Sequence, residues 1–211
     1  MERPSWSYRI EFSIRYSASL LDTLLTIHRV IHPSDWYQKF MRVCLIAAVS
    51  ENGVIGIDGD LPWRVRSDML RFKRLTIGDG DETSAVIMGR KTWESLPDGH
   101  RPLDDRINIV LTQQTGWSDD GAEAAFYPGQ AMEIAFSMGC EEAWIIGGAG
   151  TYAAMFDRIE EIHLTTIHAN IDGDVHMPNW DRSDWNEEIV ERCQASGDDD
   201  HASTYSIWRK A

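Results

Sequence analysis

Apolar residues fall in short, unbroken blocks along most of this chain. The blocks alternate with segments whose apolar positions recur every three or four residues. The run 42–50 (RVCLIAAVS) is strand-length and almost wholly apolar, the pattern of a strand covered on both faces. Residues 84–89 (SAVIMG), 106–112 (RINIVLT), 142–148 (EAWIIGG) and 161–169 (EIHLTTIHA) repeat it. Helical patterns lie between them. In 67–76 (SDMLRFKRLT), Ser67 is expected to cap the start, and Met69, Phe72 and Lys73 fall on neighbouring turns. Further helices are expected at 90–96, at 129–139 with Gly139 as its stop, and at 150–157. Residues 185–194 and 202–210 alternate like antiparallel partners across the SGDDD turn. This order predicts an α/β fold: one domain with a mostly parallel central β-sheet, an antiparallel C-terminal edge and flanking helices.

The first 40 residues follow a different pattern. Leu20, Leu24, Ile27 and Ile31 share one helical face that Pro33 would end. The segment has a net charge of +1, against −15 for 41–211. It lacks the charged start, apolar run and cleavage site of a signal peptide, and Glu2, Glu11 and Asp22 are out of place in a transit peptide. The working domain is therefore expected at 41–211, and 1–40 is either an accessory helix or an over-extended start.

Charge narrows the function. Thirty-four acids give a formal net charge of −14, with clusters at Asp79/Asp81/Glu82, Asp119/Asp120 and Asp198/Asp199/Asp200. Such a surface repels phosphate backbones, so no nucleic-acid partner is expected; it reads as a solvated, salt-tolerant exterior. No apolar run approaches the roughly 18 residues of a membrane span. Cys44, Cys140 and Cys193 are scattered without metal spacing, as in a protein of the reducing cytoplasm, and His163 and His168 are poorly placed as metal partners. A monomer without a metal is expected.

Ligands of open α/β sheets bind beyond the carboxyl ends of the strands. Two such ends are candidate anion sites. Gly147-Gly148-Ala149-Gly150 at a helix start reads either as a plain glycine-rich turn or as a pyrophosphate site; Gly89-Arg90-Lys91-Thr92 reads either as surface basic residues or as a focused cationic spot in an acidic chain. Together they fit a dinucleotide bearing an extra phosphate. A third end opens into ENGVIGIDGDLPW, whose glycines at 53, 56 and 59 and closing Pro62-Trp63 would serve either as a lid or as a long connector. Asp68 follows directly. It reads equally as a helix-start acid favoured by the dipole, or as a carboxylate desolvated at the rim of an apolar pocket and able to bind a proton or an N–H-rich heterocycle.

The segments LIAAVSENGVIGIDGDLPW, DMLRFKRLT, VIMGRKTWESL, RPLDDRINIVLT, IIGGAGTY, HLTTI and DGDVHMP follow one another in the order found in dihydrofolate reductases, and 41–211 resembles that family over nearly its whole length. The resemblance implies NADPH-dependent reduction of dihydrofolate to tetrahydrofolate for one-carbon metabolism, with hydride delivered to pterin C6 and a proton to N5. It also implies residue roles. Asp68 matches the essential carboxylate, Thr165 the hydroxyl bonded to it, and Trp63 the tryptophan that holds a structural water nearby. Ile46, Ala48 and Ile146 match the walls around pterin and nicotinamide. Phe72, Leu96 and Leu103 match the aminobenzoyl channel, and Arg106 the partner of the glutamate carboxylate. Gly89, Arg90, Lys91 and Thr92 match the adenosine-phosphate turn, and Leu111, Thr112 and Gln113 the adenine side. Gly147 and Gly148 match a pair joined by a cis peptide. Ala149, Gly150, Thr151 and Tyr152 continue the cofactor strand end, and Ile55, Gly56 and Leu61 belong to the lid. Asp174 matches a loop acid that bonds backbone and tunes lid closure.

There are departures from the family. Gly150 stands where many bacterial relatives carry an arginine, leaving the extra phosphate to Arg90 and Lys91; Leu61 replaces a frequent methionine; and DGHRPLDD is lengthened, loosening the alignment of Leu103 and Arg106. The reductase of riboflavin biosynthesis and a non-catalytic folate binder are the rival readings. The first lacks the Pro62-Trp63…Asp68 constellation. The second is disfavoured by the retention of Asp68, Thr165, Trp63 and the glycine pair.

Overall fold

Residues 40–78 and 83–211 are described in a computed structural model; the expected N-terminal helix and the acids at 79–82 lie outside them. The apolar run at 42–50 forms the strand β1 (Arg42–Ser50), and the other blocks form β3 (Ser84–Gly89), β4 (Ile107–Leu111), β6 (Glu142–Gly147) and β7 (Glu161–Ile167). The C-terminal pair is β9 (Trp185–Cys193) and β10 (Ser203–Lys210). Three strands too short for a periodic signal complete the set: β2 (Val54–Gly56), β5 (Glu123–Ala125) and β8 (Val175–His176). The helices are α1 (Arg66–Ile77), α2 (Arg90–Ser95), α3 (Pro128–Ser137) and α4 (Ala149–Met155).

The eight-stranded sheet runs β5-β4-β3-β6-β1-β7-β10-β9. Pairing is parallel from β5 to β7 and antiparallel from β7 through β10 to β9. Neighbouring strands are in register, so Cys44 lies beside Trp144 and Ala48 beside Thr165. Alternation then sorts side chains onto two faces. One face packs Leu45, Ile87, Ile109, Ile145 and Leu164 against Met132 of α3 and Met155 of α4. The other packs Ile46, Met88, Val110 and Trp144 against Trp93 of α2 and, partly buried, Phe72 and Leu75 of α1. Each fully buried aliphatic such as Leu45 contributes about 1.5–3 kcal/mol. Among the described residues no helix is long and apolar enough to cross a membrane.

Two expectations about α1 are corrected. Ser67 is not its cap: the helix begins one residue earlier, after an extended Val65 that makes no side-chain cap bond. The free N–H groups of the start are taken from outside. Arg64 N–H donates to Asp200 Oδ2 (2.9 Å), Arg66 N–H to the Asp198 carbonyl (3.3 Å) and Ser67 N–H to Asp199 Oδ1 (3.0 Å). The acidic turn between β9 and β10 thus acts as a remote cap. Nor does Met69 join Phe72 on the buried side of α1. Met69 is 51% exposed, whereas Arg71 and Thr76 are the buried residues. Local periodicity marked Met69, but the strands beneath offer carboxylates and a tyrosine ring, and these suit a guanidinium.

One acid cluster expected to be mere solvation is also in use: Asp119 Oδ2 accepts the indole N–H of the fully buried Trp93 at 2.7 Å. Outside those clusters, Glu142 Oε2 likewise accepts that of Trp144 at 2.9 Å.

Candidate active site

Asp68 occupies the first turn of α1 at the edge of a 340 Å³ cleft lined also by Leu61, Trp63, Val65 and Met69. Its side chain is 15% exposed. Burial raises its pKa above the usual carboxylate value, and a hydrogen bond with Thr165 and the Arg71 guanidinium offset part of that rise. Thr165 is buried on β7, one strand away from the partly buried Ala48. Trp63 and Val65 pack with Val54 and Ile167, with Ala48 against them. Both sequence readings of Asp68 therefore meet in one position: a helix-start acid that is also desolvated at the mouth of a cleft.

Five of the apolar residues named for the walls and channel lie together. Ile46 and Leu103 belong to one buried cluster, and Phe72, Leu96 and Ile146 pack against it. Leu103 is fixed by Asn108, which accepts its N–H at 3.0 Å and donates to its carbonyl at 2.9 Å. Arg106 stands at the outer end of this wall, half-buried. Its Nη1 donates to Thr76 Oγ1 (2.7 Å), its Nε to the Asp104 carbonyl (2.8 Å), and its guanidinium carbon lies 6.0 Å from the Phe72 ring centre. Burial lowers its pKa, with Asp105 and Asp104 pulling the other way.

The two glycine-bearing strand ends lie against one another. A Cβ on Gly89 would meet Thr151 Oγ1 at 2.8 Å, and one on Gly148 would meet Thr92 Oγ1 at 3.4 Å. The Gly147–Gly148 peptide is cis. Tyr152 turns inward, its hydroxyl donating to the Ile46 carbonyl at 2.9 Å, and burial raises its pKa. Arg90 is engaged by Glu94, with Nη1–Oε distances of 2.6 and 2.8 Å, while Lys91 is exposed. Leu111 ends β4. Thr112 is buried, its N–H bonded to the Ala125 carbonyl at 2.9 Å, and Gln113 is exposed beside it. Around Gly150 there is open space, and Ala149 begins α4.

The loop after β1 is anchored and is more than a connector. Val54 and Gly56 on β2 pair with His176 and Val175 on β8, with Ile55 between them. Ile57 and Asp60 exchange backbone bonds of 2.9 and 2.8 Å, and Asp58 N–H donates to Asp174 Oδ1 at 3.2 Å. Leu61 lies beyond, exposed at the cleft.

Sequence reading missed two features. One is Arg71, buried between Asp68 and Glu191. The other is a buried polar cluster behind the cleft, where Cys44, Glu161 and His163 bring three possible metal donors within 4.8 Å of one another. Two of these donors, His163 and Glu161, are already bonded. His163 contacts Tyr205 Oη and Glu161 Oε1, each at 2.6 Å, and Arg209 Nε donates to Glu161 Oε2 at 2.6 Å. The His163 bond and Arg209 hold Glu161 down at about 2, and burial pushes the Cys44 thiol up to about 12, so Glu161 is already paired and Cys44 stays a neutral thiol.

Comparison with known proteins agrees with this geometry. The family model described as dihydrofolate reductase matches residues 42–210. The chain is 38% identical over 159 residues to dihydrofolate reductase type 3 of Salmonella typhimurium, covering 75% of this chain and 91% of that protein. It is 35% identical over 167 residues to a dihydrofolate reductase of Heliothis virescens, covering 75% and 89%. It is 38% identical over 150 residues to the dihydrofolate reductase HdrB of Haloferax volcanii, covering 69% and 75%. A desolvated acid over a parallel sheet, an apolar wall ending in an arginine and paired glycine strand ends thus coincide with a match over almost all of the described chain, which belongs to the dihydrofolate reductase family, oxidoreductases that reduce dihydrofolate to tetrahydrofolate with NADPH.

Proposed function

We propose that Asp68 is the group through which this chain holds the pterin and assists protonation of N5. The observation that carries this reading is its place: an acid of raised pKa, at the mouth of the cleft, bonded from behind by Thr165. An ionised carboxylate there would accept from the pterin's 2-amino group and N3. Thr165 fixes its orientation, and Trp63, buried beside it, would hold a structural water near it. Ile46, Ala48 and Ile146 form the floor, Phe72, Leu96 and Leu103 receive the apolar middle of the substrate, and Arg106 meets its carboxylate with the guanidinium edge that Thr76 and Asp104 leave open.

The residues present fit NADPH. The close contact of Gly89 with Thr151 and of Gly148 with Thr92 joins the strand ends into one surface on which a backbone-hugging pyrophosphate can lie. Arg90, Lys91 and Thr92 would hold the phosphates, Leu111, Thr112 and Gln113 the adenine, and Gly147 to Tyr152 the nicotinamide half. When bound, the nicotinamide supplies the hydride. Ile55, Gly56 and Leu61 would cover it from the lid, which Asp174 steadies through Asp58. With Gly150 in place of a cation, selection for the extra phosphate falls to Lys91 and to Arg90, which must be shared with Glu94.

The working unit is read as residues 41–211, with 1–40 an accessory helix or an over-extended start. We read the enzyme as a cytoplasmic monomer without affinity for nucleic acid, on the three unpaired thiols and the charge of −14.

Asp68→Asn tests the central claim. It keeps the shape but removes the carboxylate, so the hydride-transfer rate should fall about 100-fold or more at pH 7 and less at pH 5, where protons are plentiful. NADPH affinity should hold within a few-fold. Unaltered turnover at neutral pH would remove Asp68 from the mechanism.

A further inference from the structure

Arg71 is 5% exposed, although Met69 and Leu70 just before it on α1 face solvent. Its Nη1 lies 3.3 Å from Asp68 Oδ1 and 3.4 Å from Thr165 Oγ1, so it touches both groups assigned to the pterin. Its Nη2 donates to Glu191 Oε2 at 2.6 Å and approaches Cys193 Sγ at 3.9 Å. The guanidinium carbon sits 4.4 Å above the Tyr205 ring centre. The guanidinium is thus divided between an active-site acid on one side and a strand acid on the other, over an aromatic floor. The bond to Glu191 is the shorter.

We propose that Arg71 is a positioning residue for the reduction: it orients Asp68 and sets the acidity of that carboxylate, and Glu191 meters how much of the guanidinium's charge Asp68 receives. This rests on the role given to Asp68 above.

The groups around Asp68 leave Arg71 as its only cationic hydrogen-bonding partner among the described residues. From β7 comes the Thr165 hydroxyl; from α4, Tyr152, a neutral phenol; from the turn before β10, Asp199, which opposes ionisation. Glu191 and Cys193 on β9 and Tyr205 on β10 reach Asp68 only by way of Arg71; Arg74, one turn on, acts on Tyr205 and Glu191. Burial works against the charge on Asp68, and Arg71 works for it. Burial also works against the charge on Arg71, and Glu191 and Asp68 more than restore it. The strand geometry supports the division. Glu191 lies opposite Tyr205, and the register slips by one between Tyr205 and Ser206, leaving Val190 as an extra residue. A bulge of this kind re-aims the adjoining side chains, here bringing Glu191 beneath α1.

The test reads Asp68 directly, through the carboxyl carbon NMR resonance assigned by its loss in Asp68→Asn, alongside the pH profile of hydride transfer. Arg71→Met keeps the length and removes the charge; the Asp68 titration midpoint should rise by about one pH unit or more, as for loss of a cation in contact. Glu191→Gln alters a side chain that is 54% exposed and frees Arg71 for Asp68, so the midpoint should fall. In the double variant it should return to the Arg71→Met value. Opposite shifts in the single variants are outside the reach of a residue that only ties α1 to β9. Shifts in the same direction, or none, overturn the proposal, and should Arg71→Met not fold, Glu191→Gln alone decides by the presence or absence of a downward shift. The titration is read without substrate. A titration that moves while the pH–rate profile stays still would therefore count against the role of Asp68, not against its coupling to Arg71.

Discussion

At Gly147 the backbone φ is +110°, and a Cβ would come within 3.0 Å of Tyr152 Oη and 3.1 Å of its ring carbon. Both the conformation and the space require glycine. Gly147→Ala should therefore cost about 1–3 kcal/mol of stability. It should also weaken NADPH more than dihydrofolate, because the residue belongs to the strand end proposed to hold the cofactor. Paired KM measurements with a thermal melt check this, and equal loss for both ligands would count against the assignment. This position was legible beforehand, because a Gly-Gly pair at a strand end is a local signal. Arg71 was not. Its helical neighbours mark a face by apolar period, and an arginine on that face reads as an outlier until β9 and β10 are seen beneath it. The spacing of three from Asp68 was the available clue, since such residues meet on a helix surface.

Among the elements, the long strands and helices were legible because each buries a side that its sequence must display. The three-residue strands β2 and β5 and the two-residue β8 were not, since pairing partners rather than composition define them. The cap of α1 was hidden for the same reason: it comes from a turn more than 130 residues further on. Asp199 there has a lowered pKa. Burial pushes it up, but bonds from Ser67 and from the Arg66 backbone outweigh that effect. A depressed carboxylate stabilises the fold above its unfolded pKa of about 4, and the contribution is lost as pH falls through the lower folded value. Asp199→Ala should thus cost about 1 kcal/mol, as for loss of a cap, or roughly 2–4 °C in Tm for a chain of this size. The deficit should be constant from pH 8 to pH 5 and shrink below about pH 4. A deficit that persists undiminished in acid would show that packing, not the charge, is what Asp199 supplies. The outer strand β9 solves a further problem: as the sheet's last strand it carries Glu187, Glu188, Glu191 and Arg192, charges that discourage a second sheet from pairing with it.

Across the whole molecule, the charge of −14 opposes two anionic ligands, dihydrofolate and NADPH. The cations proposed to receive them are few. Arg90 is already engaged by Glu94, Arg106 donates to Thr76 and Asp104, and Lys91 is exposed. Long-range repulsion and local attraction differ in how far they reach. The screening length is about 10 Å at 0.1 M salt and about 3 Å at 1 M, so added salt removes the field of distant surface acids before it weakens a half-buried guanidinium in contact. Moderate salt should therefore lower the KM of both ligands while kcat at saturation stays level. The larger effect should fall on NADPH, which carries more charge and whose proposed phosphate partner Lys91 is open to solvent. At higher salt the Lys91 and Arg90 contacts are themselves screened, and the NADPH KM should turn upward first. Arg106→Lys should shift the turning point for dihydrofolate to lower salt, because a point charge without the planar fork loses more to screening. Initial rates from about 0.05 to 2 M potassium chloride measure the two curves, and a KM that climbs steadily from the lowest salt would show that local contacts, not the global field, govern ligand capture.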